Sequence, residues 1–128
     1  MITITPVYLA LLGFLYILLT MRVVRRRVSQ KTAIGDADDA ILKRRIRAHG
    51  NFAEYVPIQV LLLLCAELQG TPAWVLHLFG LAIIISRAAH AWSISQVSEP
   101  IVIRQYAMIT TLAIIAFLAL GNLGHAIF

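Results

Sequence analysis

Arg44, Arg47, Asn51 and Glu54 recur at spacings of three, four and three residues, so on an α-helix all four project from one face. Arginines on such a face can grip carboxylates through paired N–H donors. Further along, Arg87 and His90 stand three residues apart. Between the two groups lies a chain reversal at Gly70, Thr71 and Pro72. Glu54 lies sixteen residues before Gly70 and Arg87 sixteen after Thr71, while Asn51 lies nineteen before and His90 nineteen after. If the turn joins two neighbouring antiparallel helices, Glu54 can pair with Arg87 at one level and Asn51 can meet His90 one turn away.

The elements that must carry these residues follow from the composition. The chain has 128 residues, of which 60% are hydrophobic and 13% charged, with a mean hydropathy of +0.84. So small a soluble domain cannot hide that much apolar surface. A soluble enzyme, a fibrous protein and a disordered tail are excluded. The pattern reads as an all-α, integral membrane four-helix bundle, one domain over residues 1–128 with spans at about 3–24, 38–69, 72–95 and 104–127.

No charge occurs from Met1 to Met21, after which come Arg22, Arg25, Arg26 and Arg27. A cleavable signal peptide has the opposite charge order, so the first helix is expected to be retained. The second span opens on the helix-starting cluster Asp36 to Asp39. Only Tyr55 to Ala66 is free of charge there, and twelve residues cover about 18 Å of the roughly 30 Å hydrocarbon core. The span must therefore take in Asn51 and Glu54.

Threading four helices places all eleven Lys and Arg residues on one side, which the positive-inside rule assigns to the cytoplasm, with both termini on the other. The expected location is a membrane of bacterial inner-membrane type. The basic residues abut apolar spans, so the net charge of +5 reads as a topology signal and not as a nucleic-acid surface. Cys65, the one cysteine, lies in an apolar run and cannot form an intrachain disulfide. No metal-site spacing is present. His77 and His125 read as solvated or core residues, Tyr8 and Tyr16 as packing residues, and Arg25 to Arg27 as a lipid-headgroup anchor.

Ionisable groups at membrane depth are costly unless paired, which marks them as functional candidates. Two readings of the layer stand. Glu54 and Arg87 could neutralise one another as a buried structural pair. Alternatively, Arg47, Arg87 and the nearby Arg104 outnumber Glu54, and a ligand bearing carboxylates, held in a cleft open to the cytoplasm, supplies the missing anion.

The segment Arg47 to Pro57, RAHGNFAEYVP, resembles the helix 2 signature of the MAPEG family, the membrane-associated proteins of eicosanoid and glutathione metabolism that include microsomal glutathione transferases. The resemblance implies a homotrimer of four-helix subunits that binds glutathione as co-substrate at subunit interfaces facing the cytosol. Carried over by position, Arg47 would hold a glutathione carboxylate, Asn51 would bond the peptide, Glu54 would take the ammonium and Tyr55 would line the site. His49 falls where some relatives place a glutamine contact, and Arg87 matches a family arginine. His90 and Ile94 stand where eicosanoid-making relatives carry tyrosines, and Arg104 is the candidate for their thiol-activating arginine.

The function these residues imply is a glutathione transferase or peroxidase acting on lipophilic electrophiles or lipid hydroperoxides. Arg104 or Arg87 would polarise the sulfur, and Arg47, His49, Asn51, Glu54, Tyr55, Arg87 and His90 would bind glutathione. The alternative within the same fold is a non-catalytic binding or scaffold protein. A small four-helix exporter would need a carboxylate in its first helix, and Met1 to Met21 has none.

Overall fold

In the computed structural model, which describes residues 2–128, four α-helices follow one another: α1 Thr5–Ser29, α2 Ala40–Leu68, α3 Ala73–Ile94 and α4 Ile101–Ile127. Each is long and apolar enough to cross a membrane. Large apolar side chains such as Phe14, Trp74, Phe117 and Leu120 face outward from the bundle, the arrangement expected where lipid is the solvent.

α2 and α3 each pack against all three other helices, while α1 and α4 do not touch one another. The middle pair therefore forms the body of the bundle, with α1 and α4 as flanks. Leu12, Phe52, Leu63, Leu76, Ile83 and Ile114 are among the residues that fill its core. Where α1 crosses α3, the Tyr8 ring occupies the space that a β-carbon on residue 80 would need, so Gly80 permits the close approach. Tyr8 Oη also lies 2.9 Å from Nδ1 of His77.

Helix ends are fixed by identifiable bonds. The acidic cluster resolves to Asp39 as the N-cap of α2, its Oδ1 accepting from the Leu42 amide at 2.6 Å. Arg26 reaches the same carboxylate from α1, with Nη2 2.5 Å from Oδ2 and Nε 3.2 Å from Oδ1. α1 thus continues as helix through its arginines to Ser29. At the opposite end of the bundle, Glu67 accepts from the backbone amides of Thr3, Ile4 and Thr5 at 2.6 to 2.7 Å. It satisfies donors at the start of α1 that have no intrahelical partner.

α2 ends in a Schellman turn: Thr71 N–H donates to Ala66 O and Gly70 N–H to Glu67 O, both at 3.1 Å. Gly70 takes φ +83°, a conformation that side chains with a β-carbon resist. This tight reversal makes α2 and α3 antiparallel neighbours, and the site depends on that pairing.

The Arg26 guanidinium, followed by the Leu42 amide, holds the Asp39 carboxyl below its usual range. Folded Asp39 binds a proton less readily than unfolded Asp39, so its stabilisation is complete above the ordinary carboxylate range near pH 4 and is lost as acid protonates the native group. Circular dichroism of the detergent-solubilised protein should show the melting temperature falling below about pH 4, with Asp39→Asn flattening that part of the profile.

Candidate functional site

The polar residues of α2 divide according to how far each lies round the helix from the core. Phe52 is buried and marks the core direction. At about 100° per residue, Tyr55 and Asn51 lie about 60° and 100° round from it, and Arg47 and Glu54 about 140° and 160°. The near pair reaches the neighbouring helices. The far pair faces outward, and both residues are exposed.

Arg87 of α3 is the centre of the inner group. It is 1% exposed, yet it has no carboxylate partner among the described residues. Its Nη1 donates to Asn51 Oδ1 at 3.0 Å. Its Nη2 donates to Thr111 Oγ1 and, at 3.4 Å, to the Ala107 carbonyl, both on α4. The Thr111 hydroxyl donates in turn to Ala107 O at 2.9 Å, so one threonine ties the guanidinium to the α4 backbone. The guanidinium carbon also stands 5.5 Å from the Tyr55 ring centroid, within cation–π range. Three helices converge on one buried cation through neutral acceptors, and Arg87 Nε makes no hydrogen bond among the described residues.

Two expected pairings are corrected. Glu54 forms no ion pair with Arg87; it is exposed, on the far side of α2. Asn51 bonds Arg87 and not His90, which is buried close by with 5% exposure. Counting residues from the turn matches depth but ignores direction round the helix. Glu54 has the depth of Arg87 and the wrong azimuth, whereas Asn51, one turn away, has an azimuth that the long arginine can reach.

His49 is likewise separated from the Arg47 face. It turns toward α1, where its Nε2 lies 3.1 Å from Thr20 Oγ1 and its ring centroid 4.8 Å from that of Tyr16. The Thr20 hydroxyl also donates to Tyr16 O at 2.9 Å, so it stands between the imidazole and the α1 backbone.

A second group lies at the basic end of the bundle. Lys43, Arg44, Arg47, Ile94, Glu99 and Arg104 line a cleft of about 440 Å³. Glu99 Oε2 is 3.0 Å from Arg44 Nη1, and Glu99 Oε1 is 2.6 Å from Arg104 Nη1. Arg44 Nη1 also donates to the Ile94 carbonyl at the end of α3, at 3.3 Å. Four cations face one carboxylate in this cleft. Excess positive charge of this kind suits an acidic guest. No cluster of three or more potential metal ligands occurs among the described residues.

Glu99 and Thr111 escaped the sequence reading. Glu99 carried a signal, since it is the one acidic residue after Glu67 and stands five residues before Arg104. Its other partner, Arg44, is 55 residues away and shares no local pattern with it. Thr111 carried none: a threonine in an apolar helix is commonplace until the helix opposite presents an arginine.

Comparison with known proteins places this architecture. The model of the MAPEG family matches residues 5–124. Two relatives, the "Inner membrane protein YecN" of Escherichia coli strain K12 and that of the O6:H1 strain CFT073, are each 33% identical over 87 residues. Each match covers 68% of this chain and 66%, just under two thirds, of the relative's own length.

Thr111→Val keeps the side-chain shape but removes the oxygen that Arg87 uses. Unfolding in detergent should then show a loss of roughly 1–3 kcal/mol, the cost of an unsatisfied buried donor, and Thr111→Ser should remain close to wild type. Equal stability of the valine and serine variants would show that Thr111 does not anchor Arg87.

Proposed function

This chain belongs to the MAPEG family, and from that membership and the charges of the site we propose that it is a glutathione transferase or peroxidase acting on lipophilic electrophiles or lipid hydroperoxides. The observation that carries the reading is the cleft in which Lys43, Arg44, Arg47 and Arg104 face the single carboxylate of Glu99. Glutathione has two carboxylates and one ammonium, so it can supply the anionic groups that the cleft lacks. Cations nearby also lower a thiol pKa and favour the nucleophilic thiolate.

The residues divide the work by position. Arg47, at the cleft wall, holds a carboxylate of the tripeptide. Asn51 is oriented by Arg87, whose N–H occupies Oδ1, leaving the amide Nδ2 to donate to the ligand. Tyr55 lines the inner wall beneath Arg87. Arg104 or Arg87 stabilises the sulfur anion. In the transferase reaction, a sulfur–carbon bond forms as the leaving group departs with its electron pair, and the thiol proton passes to water. In the peroxidase reaction, the hydroperoxide gives an oxygen to sulfur and leaves as the alcohol; a second glutathione then yields the disulfide and water. The lipophilic partner comes sideways from the bilayer and glutathione from the cytoplasm, toward which the positive-inside rule turns the basic end.

Arg47 and Glu54 support assembly as a homotrimer. Both are exposed on the single chain, and Glu54 lies at a depth where a lipid-facing charge is costly. A neighbouring subunit over this face shelters Glu54 and completes the site, with Glu54 taking the ligand ammonium. His49, on the α1 side, and His90 are assigned as further contacts in the assembled protein.

A second reading, binding without turnover, is favoured by one contact: Glu99 lies 2.6 Å from Arg104 and draws on the charge that thiol activation would use. The protein reconstituted in vesicles distinguishes the two. It should conjugate glutathione to a generic aryl halide, or reduce a lipid hydroperoxide, at a rate about a hundredfold above Arg104→Ala, the scale of losing one stabilising donor. Rates no higher than the uncatalysed background in both proteins, with glutathione still bound, would establish binding alone.

A further inference from the structure

The contacts of Glu99 assign it a role that the family signature on α2 does not contain. The connection between α3 and α4 closes without its side chain. Ser93 Oγ donates to Pro100 O at 3.0 Å, Ser95 Oγ to Ala91 O at 2.6 Å, and Ile101 N–H to the Glu99 carbonyl at 2.9 Å. The carboxylate is therefore not needed to shape the loop, yet it is 13% exposed and has a different arginine at each oxygen, hydrogen-bonded to Arg44 at Oε2 and in ion-pair contact with Arg104 at Oε1. One of these comes from α2 and the other from α4.

The use of donors is informative. A guanidinium has five N–H groups in a planar fork. Arg44 spends both hydrogens of Nη1, on Glu99 and on Ile94 O, and its Nη2 and Nε have no acceptor among the described residues. Among the described residues, Arg104 is approached through Nη1 alone. The Arg44 and Arg104 side chains remain 29% and 39% exposed, and both line the cleft. A nearly buried carboxylate thus sits behind two half-exposed cations, and each keeps the pair of donors that bidentate carboxylate binding requires.

We propose that Glu99 is a positioning residue for the basic cleft: its carboxylate clamps Arg44 and Arg104 together, presenting their free N–H pairs as a preformed receptor for a carboxylate-bearing ligand. It also tempers the charge of the cleft. With Glu99 in place, the cleft selects by geometry; without it, two unrestrained arginines attract any small anion. The ligand identity rests on the glutathione reading, whereas the clamp itself does not.

Titration calorimetry on the full-length protein in detergent, with reduced glutathione and inorganic phosphate as separate probes, tests the proposal. Glu99→Gln should weaken glutathione binding roughly tenfold, as expected for the loss of an oriented charge-assisted contact, while phosphate binding tightens. Glu99→Gln should cost nothing further when Arg44 and Arg104 are both already glutamine. Tighter binding of both probes would make Glu99 a mere competitor for the cleft, and unchanged binding of both would remove it from the site; either result overturns the proposal.

If Glu99→Gln does not fold, Glu99→Asp keeps the charge and shortens the reach. Weakened glutathione binding in that variant supports the clamp, and wild-type affinity overturns it. Should wild type bind no glutathione, the glutathione reading fails while the clamp is still tested by phenylglyoxal modification followed by mass spectrometry. Faster reaction at Arg44 and Arg104 in Glu99→Gln, with Arg26 unchanged beside Asp39, supports the clamp; unchanged rates at both sites overturn it.

Discussion

A buried guanidinium without a carboxylate is the constraint round which this bundle is arranged. Arg87 lies within the membrane-spanning part of α3, where an unpaired charge is costly. The cost is offset by an amide oxygen on α2, a hydroxyl and a carbonyl on α4, and the face of Tyr55. These contacts tie the two middle helices to α4 at one level. They leave the positive charge itself uncompensated, and charge is what a ligand can answer.

Toward the basic end, the same excess of cation recurs in a more open setting. The cleft at Arg44, Arg47 and Arg104 shares a face of α2 with Asn51, which bonds the buried arginine. Glu99 stands at the rim and partly neutralises it. Helix α2 serves two neighbours at once: its one side, through Arg45 and His49, contacts the backbone of Arg22 and the side chain of Thr20 on α1, and its other side carries the site. Glu54, exposed at membrane depth, belongs to neither contact, and for this reason the functional unit is proposed to be larger than one chain.

Much of this was legible in the sequence, because lipid makes simple demands. Charge-free runs marked four helices, the acidic cluster before Ala40 marked the start of α2, and Gly70 with Pro72 marked the reversal that sets α2 beside α3. Spacings of three and four placed Arg44, Arg47, Asn51 and Glu54 on one face. What the pattern could not give was which edge of that face met α3. About 60° of helix rotation separates Asn51 from Glu54, and that rotation decides which of them reaches Arg87. His49 illustrates the same limit, since two residues along a helix is enough to turn it toward α1. Glu99 was hidden for another reason: its partners come from two helices, and only the folded chain brings Arg44 to the loop.

The most direct test is calorimetric titration of reduced glutathione into the detergent-solubilised protein, with Arg47→Ala alongside. Arg47 is exposed and makes no hydrogen bond or ion pair among the described residues, so the substitution should leave thermal stability unchanged. The account predicts saturable binding to wild type and an affinity at least about tenfold lower in the variant. Absence of binding to wild type, or equal affinity in the two proteins, would contradict it.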